Sequence, residues 1–278
     1  MLAKGVMHYP DMIRATQSTF LDSRRPGDAV GAYLARINHD GPLEPSAETL
    51  RQLQVAHLLA VPFENLSIHD HEPIVLNDTD LFDKIVLRRR GGFCYELNGL
   101  FAALLRALGF TVQMLSACVA NSEGEWGPDF DHMTLLVGLE ERWLVDVGFG
   151  DSFVEPLRFD VRTEQVQGSR SYRIDKEGDR FVLLQKIEGG EWKPQYRFSL
   201  EPRVYADYEE MCLYQQTSPE SHFTKGRICS RLTRDGRLTI SGNRFITTRG
   251  NTREERELAT DTEIGDALRE HFGIVISA

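Results

Sequence analysis

Cysteine is scarce and scattered in this chain. Its 278 residues include four, Cys94, Cys118, Cys212 and Cys229, with no Cys-x-x-Cys pair. That spacing indicates neither a zinc site nor a disulfide framework, no metal is expected, and a reducing cytoplasm fits best. Basic excess is missing as well. The net charge is -10, whereas a general nucleic-acid binder needs a basic surface. An anionic small ligand stays open, because it needs only a local patch. No apolar run approaches membrane-spanning length, and the N-terminus lacks a basic-then-apolar leader pattern, so no membrane association is expected. There is no internal repeat and no low-complexity tract. What is present is 41% hydrophobic and 27% charged residues, ordinary for a soluble globular protein with room for two or three structural units.

Residues 1–27 have mixed polarity without clear periodicity and read as a loosely attached extension, at most with a short helix. Residues 28–110 read as mostly helical. Asp28 can cap a helix carrying Val30, Tyr33, Leu34 and Ile37; Ser46 can cap a second with Leu50, Leu53 and Leu58 on one face, stopped by Pro62. Residues 111–205 switch to strands and turns, the pattern of an antiparallel barrel or sandwich. Turns are expected at Lys176-Glu177-Gly178 and Glu188-Gly189-Gly190. Residues 206–278 mix types: a helix from Tyr205 to Gln216, a loop over 217–223, an Asp235-Gly236 hairpin, and a last helix with Ile264, Leu268 and Phe272 on one face, closed by Gly273. The fold class is therefore α+β in three parts.

The stretch that organises the rest is Arg90-Gly91-Gly92-Phe93-Cys94-Tyr95-Glu96-Leu97-Asn98. Two glycines break the preceding segment, and Leu97, Leu100, Phe101, Leu104, Leu105 and Leu108 then recur at helical spacing. Cys94 thus falls at a helix N-terminus, where unpaired N–H groups and the helix dipole favour a thiolate. Arg88, Arg89 and Arg90 add positive charge. A cysteine so placed is a candidate nucleophile; the competing reading is a small buried residue. Upstream, Glu64 is either a solvated acid or a partner for one of those arginines that braces the loop before Cys94.

A second stretch, His132 to Gly150, reads as a hairpin turning at Leu139-Glu140-Glu141, with Gly138 opposite Arg142. Thr134 then opposes Asp146, and His132 is a diagonal neighbour of Asp146 on the same face. Met133, Leu135, Val137, Trp143, Val145 and Val147 form the other, apolar face. A two-residue turn would put Asp146 on the apolar face without a partner. Cys94, His132 and Asp146 supply a nucleophile, a base and a group to hold that base in the right tautomer. Cys118 reads as packing, and His57, His69, His71 and His222 as structural or surface residues. Such a triad performs acyl transfer, to water in a hydrolase or amidase, or to an amine in a transferase. A catalytically silent binding module would have no chemical need for all three residues.

Pro62-Phe63-Glu64-Asn65-Leu66, the Arg90–Asn98 run, the strand opened by His132 and Val145-Asp146-Val147-Gly148-Phe149-Gly150 together resemble the arylamine N-acetyltransferases, from about Asp28 to the C-terminus. The resemblance implies an N-terminal helical bundle, a central antiparallel β-barrel and a C-terminal α/β lid around a papain- or transglutaminase-like Cys-His-Asp core. It implies a ping-pong reaction in which acetyl-CoA acylates Cys94, CoA leaves, and an arylamine or arylhydrazine nitrogen attacks the thioester. His132 would be the base and acid, and Asp146 the orienter. Backbone N–H groups including that of Cys94 would hold the oxyanion. Arg90 and Glu64 would brace the catalytic loop. Phe63, Phe149 and Phe223 would contact the acceptor, and Gly148 and Gly150 would let backbone approach CoA. A monomer or homodimer is expected.

Overall fold

The structure, a computed structural model, describes residues 28–250 and 252–276. The short helix considered before residue 27 lies outside the described residues. The capping residues named from sequence do cap. Asp28 accepts from the Gly31 N–H at 2.7 Å and opens α1 (Ala29–Arg36); Ser46 accepts from the Thr49 N–H at 3.1 Å and opens α2 (Ala47–Ala60). After the short β1 (Phe63–Glu64), α3 (Leu66–His69) and α4 (Asp78–Phe82), a π-helical turn over Asp83–Leu87 leads to α5 (Cys94–Ala107). α5 is buried nearly all round, as its dense apolar spacing requires.

Eight antiparallel strands follow: β2 (Thr111–Val119), β3 (His132–Gly138), β4 (Arg142–Val145), β5 (Leu157–Arg158), β6 (Gln165–Gln167), β7 (Arg170–Glu177), β8 (Arg180–Ile187) and β9 (Lys193–Arg203). Their order in space is β5-β4-β3-β2-β9-β8-β7-β6. The sheet curls into a nearly closed barrel, and glutamine side chains bridge the seam where backbone pairing stops. Gln165 accepts from the Arg158 N–H at 2.8 Å and donates to its carbonyl at 3.1 Å; Gln167 accepts from the Val154 and Glu155 N–H groups at 2.9 and 3.1 Å. The β3–β4 register pairs Gly138 with Arg142 and Leu135 with Val145, as read from the alternation of its residues. One face of this hairpin, Met133, Leu135, Val137, Val145 and Val147, joins the helical core around α5. The other carries Leu136 and Leu144 into the barrel core with Tyr196, Phe159 and Phe198. Neither face of β3 meets water over 132–137, which is why its burial is continuous there, while β4 emerges to solvent at Arg142.

The third part begins with α6 (Tyr205–Thr217) and the short α7 (His222–Lys225), followed by β10 (Ile228–Thr233), β11 (Gly236–Ser241), β12 (Arg244–Arg249), β13 (Thr252–Glu257) and α8 (Asp261–Phe272). Gly273 ends α8 at φ 70°. β1 joins this sheet, with Phe63 opposite Ser230 and Glu64 opposite Cys229. Two residues carry no period, so sequence alone does not reveal that strand. Two turns are shifted from expectation, the first later in the chain and the second one position earlier. Glu177 pairs with Arg180 and Thr233 with Gly236, so the turn pairs are Gly178-Asp179 and Arg234-Asp235. Gly236 lies instead in the strand, where a Cβ would fall 1.8 Å from the Thr248 carbonyl oxygen. β12 and β13 were not read as strands; β13 is charged and exposed throughout, a composition that blunts a sheet edge.

Candidate active site

The Arg90-Gly91-Gly92 run is threaded through a tight channel. A Cβ on Gly91 would lie 2.0 Å from the Pro62 carbonyl oxygen, and one on Gly92 2.6 Å from the Glu96 carboxylate. The same carboxylate accepts from the Phe93 N–H at 3.1 Å and caps α5 one residue before Cys94. Its other oxygen takes the buried Lys84 ammonium at 2.6 Å. Of the two readings of Glu64, the paired one is observed. Glu64 is buried, accepting from Arg90 Nε at 3.0 Å, from the Gly91 N–H at 3.2 Å and from the Leu66 N–H at 2.7 Å. Burial alone would raise its carboxyl, but the charges of Lys84 and Arg90 outweigh that and hold it below the ordinary range. Arg36, which sequence gave no reason to single out, binds the carbonyls of Ala60, Ile85, Arg89 and Arg90 from the opposite side.

His132 and Asp146 meet as the register requires, with Nε2 of His132 at 2.7 Å from Oδ2 of Asp146. The carboxylate is saturated. Oδ1 accepts from Asn98 Nδ2 at 2.8 Å and from the Gly148 N–H at 2.9 Å, and Oδ2 also accepts from the Tyr196 hydroxyl at 3.1 Å. Burial would raise Asp146, but the His132 charge and these donors bring it below the usual carboxylate value. With Nε2 committed to Asp146, Nδ1 is the nitrogen left over, and no described residue hydrogen-bonds to it. Asn98 does more than hold the acid. Its Nδ2 donates to the Met133 carbonyl at 2.7 Å and its Oδ1 accepts from the Val147 N–H at 2.9 Å, so α5 clamps both strands of the hairpin. Asn98, Tyr196 and Gln54, whose Oε1 accepts from the Asp146 N–H at 3.4 Å, were missed from sequence. Only Asn98 left a signal there: it sits one helical turn past Cys94, on the same side.

Cys94, His132, Gly148 and Phe149 line one cavity of about 670 Å³, together with Phe63, Asp131, His222 and Phe223. His222 is the exposed residue expected from sequence, and it also lines the cavity; its ring meets that of Phe223 tilted by 40°, 3.9 Å between centroids, and partial burial lowers its pKa. Phe149 meets His132 edge-on at 5.1 Å, and Phe223 packs on Phe63 and Phe93 at 6.2 and 5.5 Å. Phe223 is both core and wall. Gly148 has a steric role: a Cβ there would lie 2.8 Å from Cys94 Cα and 2.7 Å from Asn98 Nδ2. Gly150 adopts φ +86°, which a side chain would strain.

The expected arginine support for a thiolate is not what the structure provides. Arg88 is taken by Glu72 and Asp83, and Arg90 by Glu64. Burial pushes the Cys94 thiol well up; the Met133 N–H opposes this, while the Asp131 and Asp146 carboxylates add to it. A thiolate at Cys94 is therefore not supported by these arginines. Cys118 is buried, as packing required, but its thiol also donates to Asp129 at 3.1 Å. His57 is structural, bonded through Nδ1 to the Tyr33 hydroxyl at 3.1 Å, and burial lowers its pKa to about 3.

A buried Cys-His-Asp set at a helix start beside a cavity has the groups that acyl transfer through a thiol requires. The family model described as N-acetyltransferase matches residues 46–278. The arylamine N-acetyltransferase of Mycolicibacterium smegmatis is 36% identical over 88% of this chain and 91% of its own length. That of Escherichia coli is 35% identical over 87% of each. The solved structure of the Salmonella typhimurium enzyme superposes with a TM-score of 0.85 at 31% identity, over 91% of this chain and 94% of that one. The Mycobacterium marinum enzyme in complex with CoA does so at 0.81 and 35%, over 88% and 92%. The chain belongs to the arylamine N-acetyltransferase family, and it is an acyltransferase with acetyl-CoA as co-substrate.

Proposed function

We propose that this protein carries acetyl from acetyl-CoA to the nitrogen of arylamines and arylhydrazines through an acetyl-Cys94 intermediate. The observation that carries the reading is the 2.7 Å bond from His132 Nε2 to a saturated Asp146, beside a cavity shared with Cys94 at the start of α5. His132 Nδ1 takes the thiol proton. The sulfur attacks the thioester carbonyl of acetyl-CoA, and N–H groups of the first turn of α5 face the developing oxyanion. His132 returns the proton to the departing CoA sulfur. The arylamine nitrogen then attacks acetyl-Cys94, His132 accepts its proton, and the Cys94 sulfur leaves. The ionised Asp146 steadies the imidazolium in both halves. Four unpaired buried thiols suit a cytoplasmic setting.

The test is intact mass after mixing with acetyl-CoA. One acetyl group is expected on the wild type and none on Cys94→Ala; an unmodified wild type would sink the ping-pong reading. Turnover of a p-nitrophenyl ester with and without aniline separates transfer from hydrolysis: amine-dependent release supports the transferase, and equal release without amine favours the hydrolase.

Lys225, Arg227 and Arg244 also line the cavity, with Gly242 and Asn243. Arg227 and Arg244 have only exposed acidic partners, Asp261 at 2.9 Å and Glu255 at 3.4 Å. Their charge suits the phosphates of CoA. Combining Lys225→Ala with Arg244→Ala is expected to raise the KM for acetyl-CoA about tenfold at low salt, the difference shrinking as salt rises. An unchanged KM at low ionic strength would remove these residues from the donor site.

A further inference from the structure

The cavity is electrically lopsided. Its lining includes the cations Lys225, Arg227 and Arg244, while beside the nucleophile it carries one carboxylate, Asp131, that no part of the scheme above uses. Asp131 directly precedes His132, and its backbone carbonyl lies 4.0 Å from Cys94 Sγ and takes the Tyr95 hydroxyl at 3.3 Å. Position therefore fixes this residue as tightly as its catalytic neighbour. Its side chain is fixed too. Oδ1 accepts from Gln215 Nε2 at 2.8 Å, and the buried Gln215 is held in turn by the Ser221 hydroxyl at 2.6 Å.

This carboxylate differs from the others nearby. Asp129, two residues earlier, is paired with Arg180 at 2.9 Å, and Asp146 is saturated by donors. Asp131 makes no ion pair among the described residues. The cations bearing on it are the imidazoles of His132 and His222, both in the cavity wall, and its charge in turn acts on the Cys94 thiol and the Tyr95 hydroxyl. Burial pushes its carboxyl up, while those imidazoles, the Val119 amide and Gln215 favour the charged form. A desolvated acid without a cation is costly. It is compensated when a donor from outside the chain reaches it, and an acyl acceptor attacking at Cys94 passes beside it.

We propose that Asp131 selects the acceptor. It receives an N–H of a neutral or cationic arylamine or hydrazine beside the acetyl-cysteine, and it discriminates against acceptors bearing an anionic ring substituent. This rests on the acetyl-Cys94 reading, and the two can fail separately. The hydrogen bond aims the nitrogen lone pair at the thioester carbon while the carboxylate holds one of its hydrogens. A second carboxylate in the same half-buried space meets like-charge repulsion that screening water does little to relieve.

The experiment compares kcat/KM for three para-substituted anilines: 4-aminobenzoate, 4-aminobenzamide and 4-aminobenzylamine, anionic, neutral and cationic in turn. Wild type is expected to use the amide and the benzylamine at least tenfold better than the benzoate. Asp131→Asn keeps the shape and an oxygen for Gln215, still takes up one acetyl group from acetyl-CoA, and is expected to shrink the amide-to-benzoate ratio about tenfold. All three amines meet the same acetyl-enzyme, so any effect of the variant on Cys94 itself cancels in the ratio. A purely structural role lowers all three equally and leaves the ratio intact, which would overturn the proposal while the acetyl-enzyme reading stands. Absence of charge preference in the wild type, measurable whether or not the variant folds, would overturn it as well. A wild type that takes up no acetyl group brings down both.

Discussion

Asp146→Asn is expected to lower turnover by about a thousandfold to ten-thousandfold, the scale of loss when a triad histidine is left in the wrong tautomer. The carboxylate accepts from His132 Nε2, Asn98, Gly148 and Tyr196. An amide must turn its NH2 toward one pair of those donors. If it faces Asn98 and Gly148, two N–H groups collide with it at the helix–hairpin clamp. If it faces His132, Nε2 must become an acceptor, and the ring proton moves to Nδ1. That nitrogen then has no free lone pair for the Cys94 thiol. The loss should appear in acetyl uptake itself, measured by stopped-flow mass labelling, and not only in steady-state rates. A variant that acylates within tenfold of wild type would show that the acid does not set the tautomer.

The largest stability effect is expected at Glu64. Glu64→Ala leaves the Arg90 guanidinium buried, with the Ser67 hydroxyl at 3.5 Å and the acids Glu72 and Asp70 at 3.8 and 3.9 Å as its remaining side-chain company. Removing one member of a buried pair costs about 3–5 kcal/mol, read as a lower urea midpoint. Glu64→Gln keeps an acceptor for Gly91 or Leu66 and should lose less. The pH dependence has a definite sign. Glu64 and Asp146 both titrate below their ordinary values in the folded protein. Their contribution is therefore full above the unfolded carboxylate range and is lost as pH falls through the depressed folded values. Wild type should weaken on acidification over that window, and Glu64→Ala should weaken less steeply. Equal slopes would assign the acid sensitivity to other groups.

These two carboxylates also show what sequence can reveal. The pairing of His132 with Asp146 was legible because strand alternation leaves little freedom: six apolar positions together with His132 and Asp146 agree on one register and reject its neighbour. The loop before Cys94 was half legible. Arg90 and Glu64 stood out as unlike charges near a helix start, but nothing local chose between pairing and solvation. Three-dimensional closure chose, by bringing β1 alongside β10. Of the shell around Asp146 only Asn98 left a trace, since Tyr196 and Gln54 arrive from 50 and 92 positions away. The arginine cluster misled for a related reason. Charge counts along the chain do not say which acids, folded back from elsewhere, already claim them. Likewise Asp131 reads as the last residue of a polar loop until α6 brings Gln215 to it.

The β3–β4 hairpin is a shared wall with a different core on each side, and this limits how the gene can change. Adding or deleting a single codon between 133 and 137 would turn His132 toward the packed leucines of α5 and send a methionine into its place. Changes in pairs restore the parity, and the turn at 139–141, which faces solvent, tolerates either. Length variation among descendants of this chain should therefore collect at that turn and in the 121–130 loop, and stay out of the hairpin arms.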